Sequence, residues 1–262
     1  MLAWAYKINM NLDFRSPLLR RLFLSTLFLA ALTHAAAGAA AQVQFWFVRH
    51  AESEINLDSL PHSVPDEGVS YPLTRAGVEQ AIALADELKD TRVVGIYSSP
   101  RLRAIQTADA IAFRQRTPVV IAPEAVEIAL GIPLDAPDGR QSYRDLVTRW
   151  VVERDIGARL GDGETLAEAQ RRFLPFIREL MNRHIDDSGV VVVVSHGAAL
   201  GVLVPMLAPN VPADLVLKHP LSNTSIIKTQ LRDGRLFCIE WAGLAPPDFA
   251  TPAPAAQQIK AR

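Results

Sequence analysis

Five consecutive valines occupy positions 190–194 and run directly into Ser195-His196-Gly197. β-Branched side chains are stiff and favour a strand, and five residues are too few for an ordinary helix. A strand with no polar alternation must be covered on both faces, which is the condition inside a parallel sheet. A helix over residues 198–207 follows at once. Phe45, Trp46, Phe47 and Val48 make a second such run, and it ends in Arg49-His50. Open α/β sheets carry their ligand sites just beyond the carboxyl ends of the strands, so both polar endings mark the same place.

The rest of the chain supplies matching units. Thr74 is a good N-cap, and Val78, Ala81, Ile82, Ala85 and Leu88 recur at helical spacing. A short strand at 93–97 leads into Ser98-Ser99-Pro100, and Pro100 suits the first turn of the helix that continues through Ala104, Ile105, Ala108 and Ile111. Residues 119–121 form another strand, and 142–156 a helix. Thr165 and Glu168 have capping-box spacing, opening a long helix over 166–184 that Pro175 should kink. Strands at 225–231 and 235–239, joined by Asp233-Gly234, form a hairpin. Strands alternating with helices predict one α/β domain over residues 42–244, a three-layer sandwich with a largely parallel central sheet. The Pro/Ala-rich residues 245–262 are expected to be a disordered tail.

The first 41 residues differ in kind. Arg20-Arg21 precedes an apolar run over 22–32 and an alanine-rich stretch ending Ala39-Ala40-Ala41. That is the order of a signal peptide, with cleavage before Gln42; uncleaved, the segment would be a membrane anchor. The expected location is therefore periplasmic or secreted, or membrane-attached through this segment alone. Residues 1–41 hold four basic and one acidic residue of the chain's 27 and 28, so their removal leaves 23 basic, 27 acidic and a net charge of −4. Such a charge argues against nucleic acid as partner. Attraction for an anionic substrate must come from a local basic pocket. Cys238 is the only cysteine, which excludes an intrachain disulfide and a cysteine-based metal site.

Three polar groups follow strands: Arg49-His50, the segment from Ser98 to Arg103, and Ser195-His196-Gly197. In a parallel sheet all three lie at one end. Two imidazoles and several guanidiniums there suit a tetrahedral dianion, and the helix N-termini after Pro100 and Gly197 offer oriented amides. Arg49-His50-Ala51-Glu52-Ser53-Glu54-Ile55-Asn56 resembles the Arg-His-Gly-x-Ser/Thr-x-x-Asn motif of the histidine phosphatase superfamily, in its phosphoglycerate-mutase-like branch. Leu73-Thr74-Arg75-Ala76-Gly77, the run from Ser98 to Ala108, Gly163-Glu164-Thr165 and Ser195-His196-Gly197 resemble further motifs of that family, in family order. The departures are Ala51 for a Gly, Arg101 for a Leu, and Thr165 for a Ser.

The resemblance implies a metal-independent phosphoric monoester hydrolase with no cofactor. It implies His50 as the nucleophile that becomes phosphohistidine, and Arg49, Arg103 and His196 as the groups holding the phosphoryl oxygens. Asn56 is a further candidate phosphate donor. The general acid is implied to be a Glu four residues before a Gly, which Glu127 and Gly131 satisfy; Glu124 is the rival. The expected substrate is a phosphorylated small molecule or a phosphorylated envelope component. A mutase-type phosphoryl transferase and a non-catalytic phosphate-binding member are the alternatives. Outside the motifs, His62, His184 and His219 read as structural, Trp150 as core and Cys238 as buried.

Overall fold

The computed structural model describes residues 42–57, 71–132 and 137–250. Residues 1–41, where a signal peptide or anchor is expected, most of the loop at 56–72 and residues 251–262 lie outside the described residues. Six strands, β1 (Gln44–Arg49), β2 (Val93–Ser98), β3 (Val119–Ile121), β4 (Val190–Ser195), β5 (Ile226–Arg232) and β6 (Arg235–Trp241), form one sheet in the order β3-β2-β4-β1-β5-β6. β1 to β4 are parallel, and β5 and β6 add an antiparallel hairpin at one edge. Asp233 and Gly234 both have positive φ, 49° and 73°. That is the backbone a two-residue hairpin turn needs to match the strand twist.

The valine run lies in the middle of the sheet, and every residue of β4 is buried. Period-2 alternation sends its side chains to opposite faces. Val191 and Val193 join Phe45, Phe47, Trp150, Phe173, Ile177 and Leu203 in one core. Val190, Val192 and Val194 join Ile96, Leu84, Leu88, Ala104 and Ile111 in the other. Helices cover both faces, so the three-layer expectation holds. On the second face lie α1 (Arg75–Glu87) and α2 (Leu102–Gln115). On the first lie α3 (Gly139–Val151), α4 (Leu166–Arg183), α5 (Gly197–Leu207) and the short α6 (Leu215–Lys218).

The helix signals were sound in kind and loose in detail. Thr74 Oγ1 accepts from the Gly77 amide at 2.9 Å, and Thr165 and Glu168 close a reciprocal capping box. α4 continues through Pro175. α2 starts at Leu102 with Arg101 as its N-cap, which places Pro100 just outside rather than in the first turn. The helix expected over 142–156 begins three residues earlier and ends at Val151. In α1, Ala81, Leu84 and Ala85 are buried but Val78 and Ile82 are exposed, because the α1 stripe facing the sheet is narrower than its apolar composition suggests.

One expectation is corrected. Residues 245–262 do not begin as a disordered tail: Pro246–Ala250 forms a 3₁₀ turn and Phe249 is buried against the core. A large aromatic ring that finds an apolar groove gains about 1.5–3 kcal/mol on burial, enough to hold a short turn despite the surrounding prolines.

Candidate active site

The register of the central strands brings the three polar endings level. Arg49 pairs with Ser195, Ser98 with Val194, and the amides of His50 and Ser99 donate to the carbonyls of Ser195 and Val194 at 3.0 and 2.9 Å. From these ends, His50, Arg103 and His196 converge in a buried cluster, each no more than 3% exposed. The His50 and His196 rings lie edge to face with centroids 5.1 Å apart. Arg103 Nε donates to His50 Nε2 at 3.2 Å. Arg49, half-buried, donates from Nη1 to the Leu221 carbonyl at 2.5 Å, and its guanidinium packs where a side chain on Gly197 would stand.

The ring of His50 has a defined tautomer. Nδ1 lies 2.7 Å from the Ala51 carbonyl oxygen, which can only accept, so Nδ1 carries the proton. Nε2 is left with its lone pair, where Arg103 meets it. Burial first, then the Arg103 and Arg49 charges, hold His50 well below the usual histidine range; the Ala51 carbonyl opposes them. For His196, burial and then Arg103, His50, Arg101 and Arg49 all push the same way. Burial also lowers Arg49, partly offset by Glu127. Among the described residues, Arg49 Nε and His196 Nδ1 are buried with no hydrogen-bond partner in the protein. Orphaned buried donors are rare, and each costs about 1–3 kcal/mol unless a ligand accepts from it.

The flanking motif residues hold this cluster in place. Ser99 Oγ lies 2.7 Å from His196 Nε2, and Ser195 Oγ donates to the Ala125 carbonyl at 2.7 Å. Thr107 Oγ1 accepts from the Ala51 amide, and Gln106 Oε1 accepts from the Leu73 amide. Ala51 is not among the positive-φ residues, so an alanine where the resembled motif has glycine needs no left-handed backbone here. Glu52 accepts from Thr74 Oγ1 at 2.7 Å, and its amide donates to Gln80. Gly77 fits so closely against the Glu52 backbone that a Cβ would strike the carbonyl group. Asn56 sits in a short 3₁₀ turn, where its Oδ1 collects bonds from the Ser53 amide, Ser53 Oγ and Asn223 Nδ2. Its oxygen therefore braces the loop, and only its Nδ2 is left for a phosphate.

Glu127 and Glu124 separate cleanly. The Glu127 carboxylate caps α5: Oε1 accepts from the amides of Ala199 and Ile128 at 2.8 and 2.9 Å, and Oε2 from Ala198 at 3.2 Å. It is close enough to influence both Arg49 and the partly buried Tyr143 of α3. Glu124 enters the local network through its carbonyl, which accepts from Arg172. The capping corrects one expectation. The amides of Ala198 and Ala199 are not open to a phosphate, because a carboxylate from the chain itself already occupies that helix end.

Several contributors carried no sequence signal. Asn223 Nδ2 donates to the His50 carbonyl at 2.9 Å from a loop before β5. The sequence singles out neither Tyr143 nor Arg172 on the helices that carry them. Arg101, at the head of α2, lies within electrostatic reach of His196 rather than out in solvent. His184 is structural as expected, bonded to Tyr97 and Asp187. Trp150 is core, donating to the Ala158 carbonyl, and burial pushes the Cys238 thiol up to about 12. His62 lies outside the described residues. Among the described residues no cluster of His, Cys, Asp or Glu is placed to hold a metal ion, and no helix is long and apolar enough to cross a membrane.

Known proteins give this geometry a context. A protein of Yersinia pestis named "Probable phosphoglycerate mutase GpmB" is 26% identical over 200 residues, covering 76% of this chain and 90% of its own. The native structure of a mycobacterial glucosyl-3-phosphoglycerate phosphatase superposes with a TM-score of 0.61 at 21% identity, covering 77% of this chain and 99% of its own. A phosphoserine phosphatase of Entamoeba histolytica gives a TM-score of 0.62 at 23% identity, covering 76% and 96%. Both likenesses establish a shared fold. Residues 45–243, most of the chain and all of the cluster described above, match the histidine phosphatase superfamily (branch 1), and the chain belongs to that family.

Proposed function

We propose that this protein is a phosphomonoesterase that hydrolyses its ester through a phosphohistidine on His50. The observation that carries the reading is the His50 ring itself. It is held neutral, with Nε2 unprotonated and two unpartnered donors buried beside it. A neutral imidazole is a nucleophile, and donors without partners are ready for charge that arrives with the substrate.

Each step balances on these residues. His50 Nε2 attacks phosphorus as the bond to the leaving oxygen breaks, while Arg49, Arg103 and His196 hold the remaining oxygens. With the Ser99 hydroxyl donating to Nε2 of His196, Nδ1 keeps its proton and donates to the phosphoryl group. Glu127, carrying a proton when the ester binds, gives that proton to the leaving oxygen and becomes a carboxylate. Oε2 is the atom suited to this, since Oε1 accepts two short amide bonds and Oε2 one longer bond. The same carboxylate then takes a proton from water as the water oxygen attacks phosphorus. The P–N bond breaks, releasing inorganic phosphate and neutral His50. A mutase differs only in the second step, where a substrate hydroxyl replaces water, and the likeness to a protein named as a mutase keeps that reading in view.

Hydrolysis of p-nitrophenyl phosphate tests the proposal, with labelled phosphoenzyme trapped by an alkaline detergent quench, in which a P–N bond survives. Wild-type protein should turn over and trap one phosphate, and His50→Ala should do neither. Turnover in His50→Ala equal to wild type would overturn it. Label transfer to an added hydroxy acid in preference to water would replace phosphatase by mutase. We also propose that residues 1–41 direct export and are removed before Gln42. N-terminal sequencing of protein from the periplasm or medium should begin at Gln42; recovery of all the protein in the cytoplasm would refute it.

A further inference from the structure

Residues 126–130 carry the proposed acid yet have no regular secondary structure, so something outside the loop must fix its shape. Three backbone carbonyls in or beside the loop are held by one side chain. From α4, Arg172 Nη1 donates to the carbonyls of Glu124 and Val126 at 2.7 and 2.9 Å, and Nη2 reaches the Glu127 carbonyl at 3.4 Å. The same guanidinium grips Glu164 with two parallel bonds, Nε to Oε1 and Nη2 to Oε2, both 2.8 Å. Glu164 closes the figure, because its own amide donates to the Ala129 carbonyl at 2.6 Å. The turn bearing Glu164 is packed directly on the loop. A Cβ on Gly163 would stand 2.6–2.7 Å from the backbone of Ala129 and Leu130, and Gly131 adopts φ 75° against Leu160 and Gly163.

We infer that the Arg172–Glu164 pair is a positioning device for the Glu127 carboxylate, acting on proton transfer to the leaving group rather than on phosphate capture. The inference rests on the reading of Glu127 as general acid. Arg172 and Glu164 side chains are only 20% and 17% exposed, so the pair is screened less than a surface ion pair. A planar fork can satisfy a carboxylate and a row of carbonyls together, whereas an ammonium is a point donor. None of these bonds reaches His50, Arg103 or His196. Loosening the clamp therefore lets the acid drift while leaving the nucleophile, Arg103 and His196 as they are.

Leaving-group dependence separates the two effects. In wild-type protein and Arg172→Lys, kcat/KM is measured for aryl phosphates running from p-nitrophenol, which departs without a proton, to phenol, which needs one. Phenyl phosphate should lose about tenfold in Arg172→Lys, since small displacements of a catalytic group cost one to two orders of magnitude. p-Nitrophenyl phosphate should change by less than about twofold. Equal losses for both esters, or no loss for either, would overturn the inference. Glu127→Gln is the reference and should steepen the same dependence further. If it leaves the dependence flat, the general-acid reading fails and takes the clamp with it. If it steepens while Arg172→Lys falls in parallel for all esters, the clamp alone fails. Should Arg172→Lys not fold, Glu164→Gln removes half of the grip, with about a threefold selective loss on phenyl phosphate expected and an equal loss on both esters refuting it.

Discussion

Acidification should weaken this protein through two particular side chains. His50 and His196 are both held well below the ordinary histidine range, by burial first and by Arg103 second. In the unfolded chain each titrates near the usual value of about 6.5. Because the folded-state pKa lies below the unfolded one, the unfolded chain takes up protons first. Stability is then complete above about pH 6.5 and falls as the pH drops below it. Each histidine contributes a slope of about 1.4 kcal/mol per pH unit between its two pKa values, so the pair contributes about 2.7. Against a typical total of about 5–15 kcal/mol, one pH unit removes a large share. Urea unfolding at intervals from pH 7.5 to 5 measures the slope directly. In His196→Asn it should flatten by about 1.4 kcal/mol per unit, and in His50→Asn/His196→Asn by about 2.7, whatever the absolute stabilities. His184 and His219 are common to all three proteins and cancel. Superimposable slopes below pH 6.5 would show that neither ring is held neutral, and the nucleophile argument would go with them.

Two substitutions probe the frame and the charge separately. Gly77→Ala should force α1 away from the segment after His50, since the new Cβ would meet the Glu52 carbonyl carbon at 2.8 Å. Overpacking of this kind costs about 1–3 kcal/mol, read as a lowered urea midpoint together with reduced turnover. Gly234→Ala, strained at φ 73° but with nothing within 4 Å, should lose stability and keep full activity. Arg103→Met should lower kcat on p-nitrophenyl phosphate about 10²–10³-fold, the usual effect of deleting one donor to a developing oxyanion. It should also move His50 back toward its ordinary pKa in an NMR titration, because Arg103 is the largest charge opposing its protonation. An unmoved His50 titration would contradict the electrostatic account.

What the sequence disclosed follows the range of the interactions involved. The valine run needed only its own composition to declare a doubly covered strand. Arg49-His50 and Ser195-His196 needed only the rule that parallel strands end together. Motif alignment sets Arg103 apart from Arg101, and it is Arg103 whose Nε donates to His50 Nε2. The residues that stayed hidden act across long stretches of chain. Asn223 reaches a carbonyl 173 positions away, and Arg172 reaches carbonyls 45 to 48 positions away. Neither leaves a periodic or compositional trace, since a loop asparagine and a helical arginine are ordinary where they stand. Phe249 was misjudged for a related reason: local Pro and Ala content says nothing about a groove formed by distant residues.

The α5 N-terminus shows why residue type alone misassigned a role. A helix end beside a phosphate site offers amides to any anion, and the phosphate is the obvious guest. Here the guest is Glu127, so the Ala198 and Ala199 amides orient that carboxylate, the proposed acid, instead of the phosphoryl group. On the proposed mechanism, oxygen binding then falls on Arg49, Arg103 and His196, side chains with no backbone amides from those two residues to share the load. Gly197 matters in the same way. Arg49 Nε lies 3.2 Å from where its Cβ would be, so the glycine makes room for a guanidinium rather than for an approaching phosphate. A site arranged like this should tolerate loss of any one of these side chains poorly. It should depend less steeply, and only for leaving groups that need a proton, on the clamp that aims the carboxylate, since Arg172 keeps the Glu127 backbone within reach of the helix end.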